Sequence, residues 1–177
     1  MDRQALLEQI PGLRRYARAL TGDAWTADDL VQDTLERACA KWRLWRVGSD
    51  LRAWLFTVMH NLHVSQLRQT ARQGELARPL ELGELAQEPA APAAPVDGSI
   101  DLQRCLLRLP EEQRVALLLV TLEDLSYAEV ARITGVPVGT VMSRLSRARS
   151  RLQELMEATA APARADGQQT PALRRLK

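Results

Sequence analysis

SYAEVARITGVPVGTVMSRLSRARSRL, residues 126–152, divides at its Gly-Val-Pro into two helical signals. Ser126 and Glu129 have the spacing of a capping box, in which hydroxyl and carboxylate each satisfy a free backbone N–H at a helix start. Gly135 suits the end of that helix and Pro137 the sharp re-entry, which predicts a helix-turn-helix. At 100° per residue, Val141, Leu145, Ala148, Leu152 and Leu155 converge on one side of the second helix. That side must pack on a core. Opposite it lie Ser143, Ser146, Arg147 and Ser150, with Arg144 and Arg151 on one edge and Met142 and Arg149 on the other. Four arginines precede the first acid, Glu154, so the helix asks for an anionic partner. Small hydroxyl side chains let a helix approach a groove closely, and arginines reach base edges or phosphates. A solvated basic helix is the competing reading.

Upstream, Pro110 with Glu111 and Glu112 suits a helix start, and a further helix from about Ser99 to Leu107 adds apolar support. Before that, proline and alanine accumulate without helical or strand period, most densely in EPAAPAAPVDG, residues 88–98. Such a stretch reads as a flexible linker. The chain of 177 residues therefore divides into an all-α pair of small domains: 1–72, a linker over 73–98, 99–157, and a disordered tail over 158–177. Only 4% of residues are aromatic, as suits small helical units. The net charge of +2 says little by itself; its placement matters. Cys39 and Cys105 lack CxxC partners and are expected to be buried reduced thiols. No signal segment or membrane-length apolar run is apparent, which points to the cytoplasm.

The first half reads as three helices. The first runs from about Asp2 to Leu20, with Pro11 and Gly12 as a potential interruption. The second is expected to start with Thr26 as N-cap and to bury Leu30, Val31, Leu35 and Ala38. Asp29, Asp33 and Glu36 share a stripe on its other side. That stripe is either a solvated face or a docking surface for a basic partner. The third helix starts near Ser49–Asp50, with Leu51, Trp54, Leu55, Val58, Leu62 and Ser65 expected on its core face. Arg52, Phe56, His60, Asn61, Val64 and Arg68 point elsewhere. With Trp42, Arg43, Trp45 and Arg46 just before it, this mix suits stacking on single-stranded bases, although the tryptophans could equally close a small core. His60 and His63 have no nearby third ligand, so no metal or cofactor is expected. No nucleophile triad, phosphate loop or dinucleotide fingerprint is present, which disfavours an enzyme.

Three stretches in order carry a resemblance to bacterial extracytoplasmic-function (ECF) sigma factors, promoter-specificity subunits of RNA polymerase in the sigma-70 superfamily. DDLVQDTLERA (28–38) resembles their core-docking helix, GSDLRAWLFTVMHNLHVSQLRQ (48–69) their promoter-melting helix, and residues 125–152 their region 4 helix-turn-helix. The resemblance implies a three-helix region 2 and a four-helix region 4. It places Asp29, Gln32, Asp33 and Glu36 on the clamp helices of the largest polymerase subunit, and region 4 on the flap of the second-largest. It assigns minus-10 DNA to Trp45, Arg46, Ser49, Asp50, Arg52, Phe56, His60 and Asn61. Minus-35 DNA falls to Ser143, Ser146 and Arg147, with Thr140, Arg144 and Arg149 in phosphate or supporting roles. An anti-sigma partner and a free monomer are also implied, with strand opening driven by binding energy and no bond made by this chain. Met142 departs from a Lys or Arg common in the family, and the tail ending LRRLK exceeds the family's short ending. A sigma-mimic adaptor and a stand-alone repressor remain alternatives. The repressor explains only the second half.

Overall fold

A computed structural model describes residues 3–42, 50–76 and 97–165, and their regular elements are all α-helices. The first half contains α1 (Arg3–Thr21), α2 (Ala24–Ala40) and α3 (Leu51–Leu76); the second contains α4 (Asp97–Leu107), α5 (Glu111–Thr121), α6 (Tyr127–Thr134) and α7 (Val138–Ala165). The capping box forms as the spacing predicts. Ser126 Oγ accepts from Glu129 N, while the Glu129 carboxylate accepts from Ser126 N. Gly135 closes α6 in the left-handed region at φ 70°, where a side chain would be strained. Val141, Leu145, Ala148 and Leu155 of α7 are buried and Leu152 is half-buried, the face the periodicity specifies.

Several boundaries differ from the sequence reading. α2 begins before Thr26: Asp23 is its N-cap, accepting from both Thr26 N (2.7 Å) and Thr26 Oγ1 (2.8 Å). Those bonds, the backbone one first, hold the Asp23 carboxyl below its ordinary range. Pro11 does not interrupt α1, because Leu6 on one side and Leu13, Tyr16, Ala17 and Leu20 on the other are all buried along one continuous helix. Of the stretch read as linker, residues 73–76 belong to α3 and 97–98 to α4; the rest lies outside the described residues. The tail reading also yields ground: residues 158–165 continue α7, where Thr159 Oγ1 donates to Leu155 O and approaches buried Cys105. Cys105 is buried but Cys39 is exposed, and both are free.

The two halves pack against each other, α1 on α4 and α5, and α3 on α6. This explains the largest departure from the periodicity. Phe56, Met59 and His63 of α3 are buried while Ser65 is exposed, because α3 is covered by α2 on one side and by the second half on another. Tyr16 and Phe56 meet edge-on at 5.3 Å, and Gln103 of α4 donates to the carbonyls of Arg18 and Ala19 at the end of α1. Gly22, at φ 76°, lies so close to Leu107 that a Cβ would stand 2.5 Å from its Cδ1.

Candidate protein and nucleic-acid interfaces

The exposed side of α7 carries Ser143, Ser146, Arg147 and Arg149, opposite the face buried on the core. Arg147 is folded along its own helix, Nε donating to Ser143 O (3.2 Å) and Nη2 to Ser143 Oγ (3.2 Å). These are surface bonds that a stronger acceptor can replace. Arg144 differs: its side chain is largely covered and its Nη2 lies 2.5 Å from Glu112 Oε2, tying α7 to α5. Thr140 is half-buried and its carbonyl accepts from Ser143 Oγ. The arrangement leaves Ser143, Ser146, Arg147 and Arg149 available outward, with Arg144 and Thr140 supporting them.

On α2, Asp29, Gln32, Asp33 and Glu36 are all exposed, while Ala27, Leu30, Val31, Thr34 and Ala38 are buried. Gln32 Nε2 donates to Glu36 Oε1 at 2.9 Å, and Gln66 of α3 donates to Asp33 Oδ2 at 3.1 Å. The carboxylates thus form an ordered anionic strip along the outside. Trp25, 82% exposed, extends the same side by one turn.

The start of α3 is more mixed. Trp45, Arg46 and Ser49 lie outside the described residues. Asp50 accepts from the backbone N–H of Arg52 (2.9 Å) and Ala53 (3.2 Å), acting as a cap at the entry to α3. Arg52 reaches across to Glu123, and Phe56 is buried. Trp54 is half-buried and meets Trp42 edge-on at 6.1 Å. Asn61 is exposed and lines a shallow groove with Arg37, Lys41, Val58, Leu62 and Ser65. Arg37 and Lys41 were not among the sequence candidates; their i, i+4 spacing on α2 was the available signal.

His60 and His63 part company. His63 is buried and its Nε2 lies 2.5 Å from Glu111 Oε1, with Arg114 on the other carboxylate oxygen. His60 has a buried Nδ1 without a hydrogen-bond partner. Burial, then the neighbouring His63, hold His60 below its ordinary value of 6.5, with Glu111 opposing and Arg144 assisting. For Glu111, burial acts upward but is outweighed by the His63 hydrogen bond and the Arg114 and His63 charges, leaving it below 4.5. Both groups bind protons more weakly folded than unfolded. Stability therefore falls first as pH drops below 6.5, through His60, and again below 4.5, as Glu111 is forced to protonate. Urea unfolding across pH 4–8 should show the first decline at less than about 1.4 kcal/mol per pH unit, and His60→Gln should flatten it.

Two family models match the halves in order: the sigma2 domain of PhyR over residues 6–60, and sigma-70 region 4 over residues 99–152. The ECF RNA polymerase sigma factor EcfG of Rhodopseudomonas palustris is 41% identical over 154 residues, spanning 87% of this chain and 84% of that protein. The chain belongs to the ECF sigma factors. A second relative in this family, SigM of Mycobacterium tuberculosis, is 35% identical over 81% of the chain and 71% of its own length. Among solved structures, the sigma factor RpoE of Bartonella quintana, in complex with the anti-sigma factor NepR, superposes with a TM-score of 0.73 at 39% identity, covering 88% of this chain and 96% of that one. CnrH, in complex with the cytosolic domain of CnrY, gives 0.63 at 26% identity, covering 88% and 86%. No described helix of this ECF sigma factor is long and apolar enough to cross a membrane.

Proposed function

We propose that this ECF sigma factor directs core RNA polymerase to its own promoters. The half containing α1 to α3 docks on the enzyme and captures melted minus-10 DNA, and the half containing α4 to α7 reads the minus-35 duplex; residues 77–96 connect the two. The observation carrying this reading is the division of α7 into a buried apolar face and an exposed Ser143, Ser146, Arg147 and Arg149 face, on the second helix of a helix-turn-helix. Such a helix fits the major groove, where Arg and Ser side chains read base edges and phosphates.

The acidic strip of Asp29, Gln32, Asp33 and Glu36 meets the clamp helices of the largest polymerase subunit, and region 4 sits on the flap of the second-largest. Trp45, Arg46, Ser49, Asp50, Arg52, His60 and Asn61 bind the minus-10 strand, with Phe56 supporting Arg52 from the core. The chain works in the cytoplasm as a monomer, makes no bond itself, and opens DNA by spending binding energy on the melted form. An anti-sigma factor holds it inactive, by analogy with the RpoE and CnrH complexes.

The match to the sigma2 domain of PhyR, an anti-anti-sigma factor solved in complex with the anti-sigma factor NepR, favours one second reading, an adaptor that binds an anti-sigma factor. Transcription in vitro separates the two. Purified core polymerase with this protein, on a pooled promoter library, should yield discrete new start sites sharing minus-35 and minus-10 motifs. Core binding without new starts would favour the adaptor, and absence of core binding would remove both α2 docking and initiation.

A further inference from the structure

Glu123 lies in the turn between α5 and α6, a position from which an acid would ordinarily face water. Instead it is fully buried. Its cations come from the other half of the chain: Arg15 of α1 donates through Nε (3.1 Å) and Nη2 (2.8 Å) to Oε1, and Arg52 of α3 donates through Nη2 (2.8 Å) to Oε2. The same guanidinium groups also grip the turn's backbone, Arg52 Nη2 at Glu123 O (2.6 Å) and Arg15 Nη2 at Leu122 O (3.3 Å). The turn is shaped for this approach. Asp124 takes a positive φ of 52°, and Glu123 N and Leu125 N are tied back to Leu118 O and Leu119 O. α1 gives way at Gly12, where a Cβ would stand only 3.1 Å from Glu123 Oε2.

A carboxylate removed from water is tolerated only when cations and hydrogen bonds replace its hydration, and here the donors sit 71 and 108 residues away in sequence. We propose that Glu123 is an intramolecular latch: it closes the free chain on itself and holds Arg52 in place of a promoter phosphate. Closure and minus-10 capture then exclude each other, and any partner that spreads the two halves must first release Glu123. The masking of Arg52 rests on the minus-10 reading; the closure does not. Burial of Phe56 beneath the same contact, with Arg52 5.8 Å from its ring, places both residues behind the latch.

The test uses the full free chain with spin labels at exposed Cys39 and at Met156→Cys, read by pulsed electron paramagnetic resonance. Wild type should give one population, at the separation that the closed packing sets. Glu123→Gln should lower the closed-to-open ratio about tenfold or more, as loss of a charge shared by two arginines implies. Arg15→Glu should open the chain further than Glu123→Gln by placing two carboxylates together, and adding Glu123→Gln to it should bring the closed-to-open ratio back up to that of Glu123→Gln alone. General destabilisation would make the double variant more open than Arg15→Glu, so this recovery is specific to the latch. A wild-type chain already extended, or variants as closed as wild type, would overturn the proposal. Binding of a fluorescent single-stranded DNA pool should tighten in Glu123→Gln in step with opening. Opening without tighter binding would overturn the masking of Arg52, and would trace the failure to the minus-10 assignment, since the distances report closure independently.

Discussion

Phe56→Ala should destabilise the protein by about 3–5 kcal/mol, the cost of removing a buried aromatic ring and leaving a cavity. The ring is 2% exposed and presents its face or edge to Tyr16 at an interplanar angle of 82°. Such edge-to-face pairs contribute beyond area burial. Tyr16 has its own stake in the site: its hydroxyl is buried without a partner, and burial drives its ionisation far above the ordinary range, so it remains a neutral packing surface. The family resemblance places Phe56 beside melted DNA, whereas the packing makes it core. Phe56→Leu separates these roles. Leucine refills much of the cavity, so urea unfolding should recover most of the stability. If the ring stacks on a base, DNA capture stays weaker by roughly 1–3 kcal/mol even in that folded variant; if it only supports Arg52 and Tyr16, capture returns with stability.

What the sequence could disclose follows from how local each signal is. α6 and the turn after it were legible because the Ser126–Glu129 box, Gly135 and Pro137 act within a few residues of one another. The buried face of α7 was legible because one partner surface covers one stripe. α3 was not, because two surfaces cover it: periodicity locates Leu55 but is silent on a second half arriving over Phe56, Met59 and His63. The start of α2 was misplaced because Thr26 and Asp23 both belong to the capping pattern, Thr26 as donor rather than cap. The exposed acids of α2 and the outward residues of α7 were readable as faces. Glu123 was not readable at all, since a single acid in a turn reveals nothing until the guanidinium groups from α1 and α3 reach it.

A paired charge experiment tests the division of labour between the halves. Replacing Asp33 and Glu36 together by Lys should weaken binding to core polymerase by more than about tenfold, because like charges set against a cationic surface cost several kcal/mol. Folding should hold, since both side chains are exposed and lose only the surface bonds from Gln66 and Gln32. Arg147→Ala should do the reverse. It should leave core binding unchanged and weaken minus-35 duplex binding by about 1–3 kcal/mol, roughly 5- to 150-fold, if the guanidinium grips a base edge. In the free protein that guanidinium only lies back on Ser143, an exchange that costs little to undo. The two measurements are core binding by fluorescence anisotropy and minus-35 binding by the holoenzyme. A lesion at Arg147 that lowers affinity equally for every duplex would make it a phosphate contact, and its salt dependence would weaken with it. Equal loss of both activities in both variants would dissolve the division, because α2 and α7 present faces of opposite charge and no single partner surface satisfies both.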